Sequence, residues 1–414
     1  MSAPEPARRE CSVRITDLKT TPVAFPDPPL RNAWGVHAPL AFRTIVELTT
    51  DEGITGIAET YGASVGSVLS SESEPGQGPF AAARRVLIGM DPYHLNRIRI
   101  LIPSPRVYQA VEIACLDIIG QAVGKPICDL LGGAVRDRVL FAAYLFFKYD
   151  GDDPWGEVNT PEAMVREAEM FVERYGFRTL KLKGGVLPPA EEVETIRLLR
   201  ERFGPEYQLR LDPNAIWSVE TSIRVAQQLE PYDLEYLEDP TWGIAGMAEV
   251  ARRTAIPLAT NMCVTRFEDI PQAVRASAVN VILGDHHSWG GLTAFQRLGH
   301  VCATFSLGMS MHSNTHLGLS MAAMIHAAAI TPNLITACDT HYMWLQEDII
   351  VGDMFRFEEG MLRVPTAPGL GVRLDRDKLA RFHERYLKSQ ERMRDDTAAM
   401  RRRDPNYLPL RPRW

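Results

Sequence analysis

Residues 160–185, TPEAMVREAEMFVERYGFRTLKLKGG, join an amphipathic helix to a short apolar strand. Thr160 is a candidate N-cap, Pro161 suits the first helical position, and Gly176 lies just past the expected helix end. Residues 179–183 (TLKLK) then show the two-residue period of a strand. This stretch therefore predicts one helix–loop–strand unit, the building block of an α/β fold.

Units of this kind recur along the chain, with further amphipathic helices predicted over residues 191–203 and 218–229. Eight short extended runs close on a polar or aromatic residue: Tyr144, Lys183, Asp212, Glu238, Asn261, Asp285, His312 and Asp339. These residues lie 39, 29, 26, 23, 24, 27 and 27 positions apart, about the length of one strand, one helix and two loops. The pattern favours a modified (β/α)8 barrel of the TIM type over an open, doubly wound sheet.

The segments that flank these units show a different order of predicted strands and helices. Residues 12–25 and 42–50 are predicted strands, and a turn at 51–53 leads into a hairpin partner at 54–60. A helix is predicted over 107–123 and another over 376–388. We therefore predict an α+β capping domain in residues 1–136, the barrel in 137–349, and a C-terminal segment, 350–414, that folds back to complete the cap.

Composition excludes several classes of protein. The chain has 414 residues, 45 Lys and Arg against 52 Asp and Glu, and a net charge of −7, which is not the charge footprint of a nucleic-acid binder. The longest apolar run, residues 317–330, is too short to span a bilayer, and residues 1–10 lack the apolar core of a secretory signal. Six cysteines without a C-x-x-C pair predict reduced thiols and a cytoplasmic protein.

Lys181 and Lys183 lie two residues apart on one predicted strand and so share a face. On a barrel strand with apolar neighbours, that face is the lumen. Two ammonium groups there would repel each other and lower the pKa of at least one, which suits a general base. The alternative is an exposed edge strand with two solvated lysines.

Asp212, Glu238 and Asn261 end three successive predicted strands, where their side-chain oxygens can converge. Hard oxygen ligands from one side, with positions left for water or substrate, suit Mg²⁺. Each residue has an alternative role on its own: a carboxylate before proline is often a turn former, and Asn261 can cap a helix. Three such residues at barrel spacing favour the metal site.

Asp285 and His312 end the next two predicted strands. Adjacent strands would let Asp285 accept a hydrogen bond from the His312 imidazole, which would raise its basicity. The alternative is a core histidine with a structural partner, and His286 and His287 can be loop residues only. Together with Lys183, the pattern predicts a metal between two bases, as needed to remove a proton alpha to a carboxylate.

The sequence resembles the glucarate dehydratase family of the enolase superfamily, in its mandelate racemase-like subgroup. The matching stretches are FRTLKLKGGV (177–186), LDPNAIW (211–217), PLATNMCV (257–264), HSNTHLGL (312–319) and ACDTHY (337–342). The resemblance implies that Lys183 and the His312–Asp285 pair are the bases, with Lys181 as the neighbour that lowers the pKa of Lys183 and contacts substrate. It also implies Mg²⁺ on Asp212, Glu238 and Asn261. Further substrate contacts are implied at Asn32, His37, Tyr144, Asn214, Ser313, Asn314, His341 and Arg394.

The reaction that the resemblance implies is dehydration of an acid sugar. His312 would remove the alpha proton of D-glucarate, or Lys183 the opposite-face proton of its epimer L-idarate, and loss of the beta hydroxyl would leave a keto-deoxy diacid. The alternatives are a racemase or epimerase, a dehydratase of a different sugar acid, and a non-catalytic sugar-acid binder. A homo-oligomer is the default expectation, with a small-molecule substrate and neither nucleic acid nor membrane as partner.

Overall fold

The computed structural model describes residues 13–62 and 78–414. Its centre is a curled sheet of seven parallel strands, each paired with the next along the chain. The strands are Ala143–Phe146, Thr179–Lys183, Gln208–Asp212, Tyr236–Glu238, Leu258–Thr260, Val281–Gly284 and Gly308–Met311. The predicted barrel is therefore confirmed in its architecture.

The eighth barrel position is filled by a segment around Asp339 that forms only isolated bridges. The Asp339 amide donates to the Met311 carbonyl at 2.9 Å, and the Ala142 amide donates to the Cys338 carbonyl at 2.9 Å. These bonds close the sheet between its last and first strands. Two strand-end predictions were thus wrong in detail: Asp339 ends no regular strand, and Tyr144 lies inside a strand that continues to Phe146.

Helices follow the barrel strands on the outside, where their apolar residues are buried against the sheet. The barrel helices are Pro161–Tyr175, Pro189–Phe203, Val219–Leu229, Gly243–Ala251, Ile270–Ala276, His286–Trp289, Leu292–Thr304 and Gly318–Ala329. The Thr160 hydroxyl accepts from the Ala163 amide at 3.2 Å, and Gly176 ends that helix with φ 72°. Both residues confirm their predicted capping roles.

An antiparallel sheet of three strands forms the cap, in the order Ile15–Pro26, Leu40–Thr50, Thr55–Tyr61. The predicted hairpin turn is present, with Gly53 at φ 79°. The described residues of this region form four helices: Pro79–Leu87, Leu95–Leu101, Pro105–Val123 and Ile127–Leu130. Short strand pairs join Arg31–Asn32 to Gly35–Val36 and Arg138–Leu140 to Met361–Arg363.

Two helices of the C-terminal segment pack against the cap. Helix Arg376–Lys388 packs its Phe382 ring 6.0 Å from Phe25 of the first strand. Helix Asp396–Arg403 lies on the hairpin at Gly35, where an added Cβ would come 2.6 Å from the Asp396 carbonyl oxygen. The domain boundaries themselves stay a prediction.

Two findings bear on the expectations for membrane segments and for cysteines. Within the described part of the chain, no helix has both the length and the apolar character to cross a membrane. Five cysteines there are free thiols: Cys115, Cys128, Cys263, Cys302 and Cys338. Cys11 and the polar stretch 1–10 lie outside the described residues.

Candidate active site

One cavity of about 460 Å³ opens between the cap and the barrel, at the carboxyl ends of the strands. Barrel residues form its floor and cap residues its walls. It is lined by Asn32, Trp34, His37, Tyr144, Phe146, Lys183, Asn214, Asn261, Met262, His312, Ser313, Asn314, His341, Arg394, Asp395, Asp396 and Thr397. The structure thus brings together in one cavity all eight residues predicted for substrate contact, together with Lys183, Asn261 and His312.

The three residues predicted to bind metal converge at the base of this cavity. The Asn261 Nδ2 atom lies 3.0 Å from Glu238 Oε1. Lys181 Nζ lies 2.5 Å from Glu238 Oε2 and 3.7 Å from Asp212 Oδ2, so the two carboxylates face a common point. Because amide oxygen and nitrogen exchange by a half-turn, Asn261 can present its oxygen to the same point.

The charge balance of this cluster fits a divalent cation. Burial, together with the Asp212 carboxylate, raises the pKa of Glu238 well above its ordinary value. Within the described residues, Glu238 Oε2 has no hydrogen-bond partner of acceptable geometry, although the Lys181 ammonium is close. Against the effect of burial, Lys183 and Lys181 hold the pKa of Asp212 below its ordinary value. Two buried carboxylates beside a neutral oxygen donor are a suitable donor set for Mg²⁺.

The two lysines lie inside the barrel, which excludes an exposed edge strand. Lys181 is fully buried, and Lys183 Nζ lies 2.6 Å from Asp212 Oδ2. Repulsion between the lysines was predicted to lower the pKa of at least one of them, and Lys181 is not that one. Burial favours its neutral form, but Asp339, Glu238 and Asp212 surround the ammonium and raise its pKa. Lys181 is therefore a permanent cation among carboxylates.

His312 borders the same cluster from the seventh strand, while Lys183 ends the second. Ligand atoms of Glu238, His312 and Asp339 lie within 4.8 Å of one another, and Asn261 Nδ2 lies 2.7 Å from His312 Nδ1. Desolvation in the cavity wall lowers the pKa of His312 to about 4, despite the opposing Asp285 charge. The imidazole is therefore neutral at pH 7, as a base must be.

The predicted hydrogen bond between Asp285 and His312 was wrong. In the described part of the chain, Asp285 Oδ1 accepts from the His287 amide and Oδ2 from the Tyr61 hydroxyl. The reason is local: Asp285 is the N-cap of helix His286–Trp289, which turns its carboxylate toward that helix. His286 and His287 are helical residues, not loop residues.

Three predicted substrate residues form an aromatic wall beside the lysines. The Tyr144 hydroxyl donates to Asp212 Oδ2 at 3.3 Å, and its ring lies under the Lys181 ammonium at 4.7 Å. The His341 ring lies 5.1 Å from Tyr144 and 5.7 Å from His37. Burial, with help from His37 and Arg394, lowers the pKa of His341 well below its ordinary value.

Arg394 lies on the cap side of the cavity, where predicted, but its guanidinium already has a partner. It binds both Asp396 oxygens, at 2.7 and 2.8 Å, and Nη1 reaches Asp27 and Asn314 at 3.3 Å. Asn32 also donates to Asp396, at 2.8 Å. The charge of Arg394 is therefore balanced by Asp396, which also holds the guanidinium in place.

Asn214 and Ser313 each place a polar atom without a hydrogen-bond partner among the described residues at the cavity floor. Asn214 adopts a left-handed backbone, φ 55°, held by bonds from its amide groups to Asp212 Oδ1. Its Oδ1 and the Ser313 hydroxyl are buried without a partner among the described residues. Such atoms are costly unless a ligand or water binds them.

Sequence reasoning missed two acidic residues that organise the floor. Asp339, predicted only as a strand end, contacts Lys181 Nζ at 2.5 Å and Arg210 Nη1 at 3.2 Å. Asp239 accepts from the Asn261 amide at 2.8 Å and so fixes the loop that carries that ligand. The DP motif at 239–240 was the available signal, and it predicts a turn rather than this role.

Glu192 holds the loop that follows Lys183. Its fully buried carboxylate accepts from the Gly185, Val186 and Leu187 amides at 2.8–3.0 Å. Burial raises its pKa to about 7, against the opposing effect of these hydrogen bonds. Between pH 4.5 and 7 the folded state therefore binds more protons here than the unfolded state, and stability falls as pH rises.

We expect Glu192→Gln to lose this pH dependence. From pH 5 to pH 8, the wild-type free energy of unfolding should fall relative to the variant's by on the order of 3 kcal/mol, because the shift is from 4.5 to about 7. Urea denaturation of both proteins at both pH values measures it. Glu191→Gln, on the exposed side of the same helix, is the control. A wild-type-to-variant difference that is constant with pH would contradict the prediction.

A curled barrel with acidic and basic groups at its carboxyl edge, capped by both ends of the chain, defines a class of enzyme. Residues 163–378 match the family model "Enolase C-terminal domain-like". The chain belongs to the enolase superfamily and is an enzyme of that superfamily.

The chain is also similar to individual members of this superfamily over nearly its whole length. The chain is 46% identical to a "Probable glucarate dehydratase" of Streptomyces coelicolor, over 97% of this chain and 99% of the relative. An enolase from Mycobacterium smegmatis complexed with tartrate has a TM-score of 0.92 and 47% identity, with 99% of this chain and all of that chain covered. An enolase from Thermobispora bispora complexed with magnesium and formate has a TM-score of 0.91 and 47% identity, over 97% and 100% of the two chains.

Proposed function

We propose that the chain is a Mg²⁺-dependent hydro-lyase that dehydrates an acid sugar, with an aldarate such as D-glucarate as substrate. The observation that carries the proposal is one cavity lined by both an amine, Lys183, and a neutral imidazole, His312, across a carboxylate cluster. Two further observations support it: a 46% identical relative carries the dehydratase name, and a 47% identical one binds tartrate, itself a diacid.

Asp212, Glu238 and Asn261 would hold Mg²⁺. Bound there, the ion would supply positive charge to the substrate carboxylate as negative charge develops on it. The chain's own groups would prepare the site: Lys181 compensates the carboxylates, and Asp239 fixes the Asn261 loop.

The two bases would act on opposite faces of the substrate, because their strands lie across the curled sheet from each other. Neutral His312 would take the alpha proton of D-glucarate. It would then donate this proton to the beta hydroxyl group, which leaves as water. Lys183 would take the alpha proton of the epimer. The resulting enol gains a proton to give the keto-deoxy diacid, such as 5-dehydro-4-deoxy-glucarate.

The cap would bind the distal end of the substrate. Arg394 is placed there by Asp396 and Asp27, and Asn32 and His37 line the same wall. Asn214, Ser313, Asn314, Tyr144 and His341 would bind substrate hydroxyl groups and the proximal carboxylate. These substrate-binding roles are part of the proposal.

A screen of acid sugars with Mg²⁺ tests the proposal, with detection of 2-keto products. We expect turnover of at least one aldarate and loss of turnover on chelation. A new carbonyl distinguishes dehydration from epimerisation, which changes configuration without loss of water. Epimerised substrate without a keto product would instead support the racemase or epimerase alternative. Tight binding without any conversion would support the sugar-acid binder.

The neutral ligand Asn261 suits a substrate with two carboxylates, because only two of the three proposed metal ligands are then negatively charged. We expect Asn261→Asp to lower kcat/KM for a diacid about tenfold more than for a monoacid, since a third negative charge repels the dianion more strongly. Steady-state kinetics on the aldarate and the matching aldonate measure the ratio. Equal losses on both substrates would contradict the prediction.

The cytoplasmic location and the homo-oligomer stay predictions. Size-exclusion chromatography with light scattering would give the mass of the assembly in solution.

A further inference from the structure

Residues 404–414, which we call the C-terminal strap, lie against loops around the cavity. None of these residues, all of which the structure describes, lines the cavity itself. The backbone of the strap is bonded to the loop that follows the third barrel strand. The Arg413 amide donates to the Ile216 carbonyl at 2.8 Å, and the Ser218 amide donates to the Trp414 carbonyl at 2.6 Å. The strap is therefore fixed to the barrel beside the strand that ends at the first proposed Mg²⁺ ligand.

The Arg413 side chain joins the strap to two further segments. Its Nη2 donates to the Ala33 carbonyl at 2.9 Å, at the tip of the cap hairpin 31–36. Its Nη1 donates to the Gly185 carbonyl at 3.3 Å, in the loop that follows the second barrel strand. Nη2 also donates to the Tyr407 hydroxyl at 2.5 Å, and that hydroxyl donates to the Ala33 carbonyl at 3.3 Å. The planar guanidinium has five donors, so one side chain can hold several carbonyl groups at once.

Each of the three segments that Arg413 contacts belongs to the cavity. The hairpin carries Asn32 and Trp34, on either side of the carbonyl that accepts from the guanidinium. The loop after the second strand begins beyond Lys183, and the loop after the third strand carries Asn214. Arg413 is therefore a direct link between a wall of the cavity in the cap and two loops at the mouth of the barrel.

The strap also contacts the Trp34 ring, which sequence reasoning did not single out. The Arg411 guanidinium carbon lies 4.1 Å from the centre of this ring, a cation–π contact. The Thr397 hydroxyl donates to the Trp34 carbonyl at 2.9 Å, and the Trp34 amide donates to Asn32 Oδ1 at 2.8 Å. The position of this aromatic wall therefore depends on the strap as well as on the cap.

Other contacts would keep the hairpin attached without Arg413. Asn32 Nδ2 donates to Asp396 Oδ2 at 2.8 Å, and the Arg31 amide donates to the Phe147 carbonyl at 2.7 Å. These bonds join the hairpin to the cap and to the end of the first barrel strand, not to the loops after the second and third strands. Loss of the guanidinium should therefore leave the protein folded and let the hairpin tip move away from those two loops.

We propose that Arg413 is a positioning residue for substrate binding. It holds the hairpin tip against the barrel, so that Asn32 and Trp34 complete the cavity around a bound acid sugar. The proposal rests on the proposed function, because it takes an acid sugar as the bound molecule. It concerns binding rather than the chemical step, because Arg413 acts through the hairpin and lies outside the cavity.

The test compares KM and kcat of the wild type and Arg413→Ala, with Mg²⁺, on D-glucarate or on the aldarate that the wild type converts best in the screen. When a site is complete in only a fraction of the molecules, its apparent affinity falls by that fraction. We expect KM to rise about tenfold, as for the loss of one hydrogen bond from a charged group. Because saturating substrate restores the complete cavity, kcat should change less than about threefold.

A second measurement needs no substrate. Hydrogen exchange of the amides in residues 30–38, followed by mass spectrometry, should be faster in Arg413→Ala than in the wild type, because the hairpin tip opens more often. Arg413→Lys keeps the charge but cannot hold both carbonyl groups in the fork of a guanidinium. We expect its KM to lie between those of the wild type and Arg413→Ala.

Arg136→Ala is the matched control. Arg136 is half-buried like Arg413, and its guanidinium also donates to backbone carbonyls, those of Ala328 at 3.0 Å and Leu334 at 2.6 Å among them. These carbonyls belong to neither the hairpin nor the residues that line the cavity. We expect this variant to lose stability while KM and hairpin exchange stay as in the wild type.

Unchanged KM or unchanged hairpin exchange in Arg413→Ala would overturn the positioning role while the proposed function stands. An equal rise of KM in Arg136→Ala would do the same, since it would show a general effect of lost stability. Wild-type protein that converts no acid sugar of the screen would overturn the proposed function, and the role of Arg413 in binding its substrate with it.

Discussion

Glu238→Gln is expected to lower kcat/KM by about three to four orders of magnitude, since several kcal/mol of charge stabilisation would be lost with the metal. Glu238 is fully buried, lies 2.5 Å from Lys181 Nζ and shares that lysine with Asp212. The variant removes one of the two negative charges that the protein offers a cation. It leaves Lys181 paired with Asp339 at 2.5 Å, so the floor of the barrel should stay folded.

Calorimetry and thermal unfolding separate loss of metal from loss of fold. At Mg²⁺ concentrations about 100-fold above Kd, linkage should stabilise the wild type by about 2.7 kcal/mol, and Glu238→Gln should lose most of this. Glu112→Gln is the control, because Glu112 is also a buried carboxylate, lies in the cap helix Pro105–Val123, and has a pKa that burial raises to about 7. Unchanged stabilisation by Mg²⁺ in Glu238→Gln would contradict the assignment.

His312→Asn and Lys183→Met are expected to remove reaction at opposite faces of the substrate. Each should lower turnover of its own epimer by about 10²- to 10⁴-fold, the usual contribution of a general base, and leave exchange of the other epimer's alpha proton measurable. Because the Lys183 ammonium lies 2.6 Å from Asp212, its removal should leave Mg²⁺ affinity unchanged or increase it. Deuterium exchange on D-glucarate and L-idarate measures both effects.

Loss of reaction at both faces of the substrate in either single variant would argue that Lys183 and His312 act as one unit rather than as two bases. Mg²⁺ titration of each variant is the necessary control, since His312 Nδ1 lies 2.7 Å from the proposed ligand Asn261. A Lys183→Met protein with weaker Mg²⁺ binding would show that the lysine supports the metal site instead of competing with it.

Local signals in the sequence predicted the barrel well, because they report burial and chain reversal. The cap at Thr160, the stop at Gly176 and the TLKLK strand occur where expected. The eighth strand was not predicted correctly. Spacing locates the segment at Asp339, but only the closure of the sheet decides whether its backbone forms a ladder or isolated bridges.

Predictions of which side chains bond to each other were less successful than predictions of where those side chains lie. Asp285 and His312 follow neighbouring strands as expected, yet Asp285 bonds to its own helix and to Tyr61, a residue 224 positions away. Repulsion between Lys181 and Lys183 was expected to lower the pKa of at least one of them, but three carboxylates from other parts of the barrel raise the pKa of Lys181.

The sequence by itself determined which residues face the barrel lumen and which strand ends carry oxygen, amine and imidazole groups, because side-chain alternation and strand spacing are local properties. Only the tertiary structure decided which of these groups pair. Hydrogen bonds and charge interactions act over a few ångströms. Tyr61 and Arg394 of the cap come within that range of Asp285 and Asn314 of the barrel only when the cap docks on the barrel.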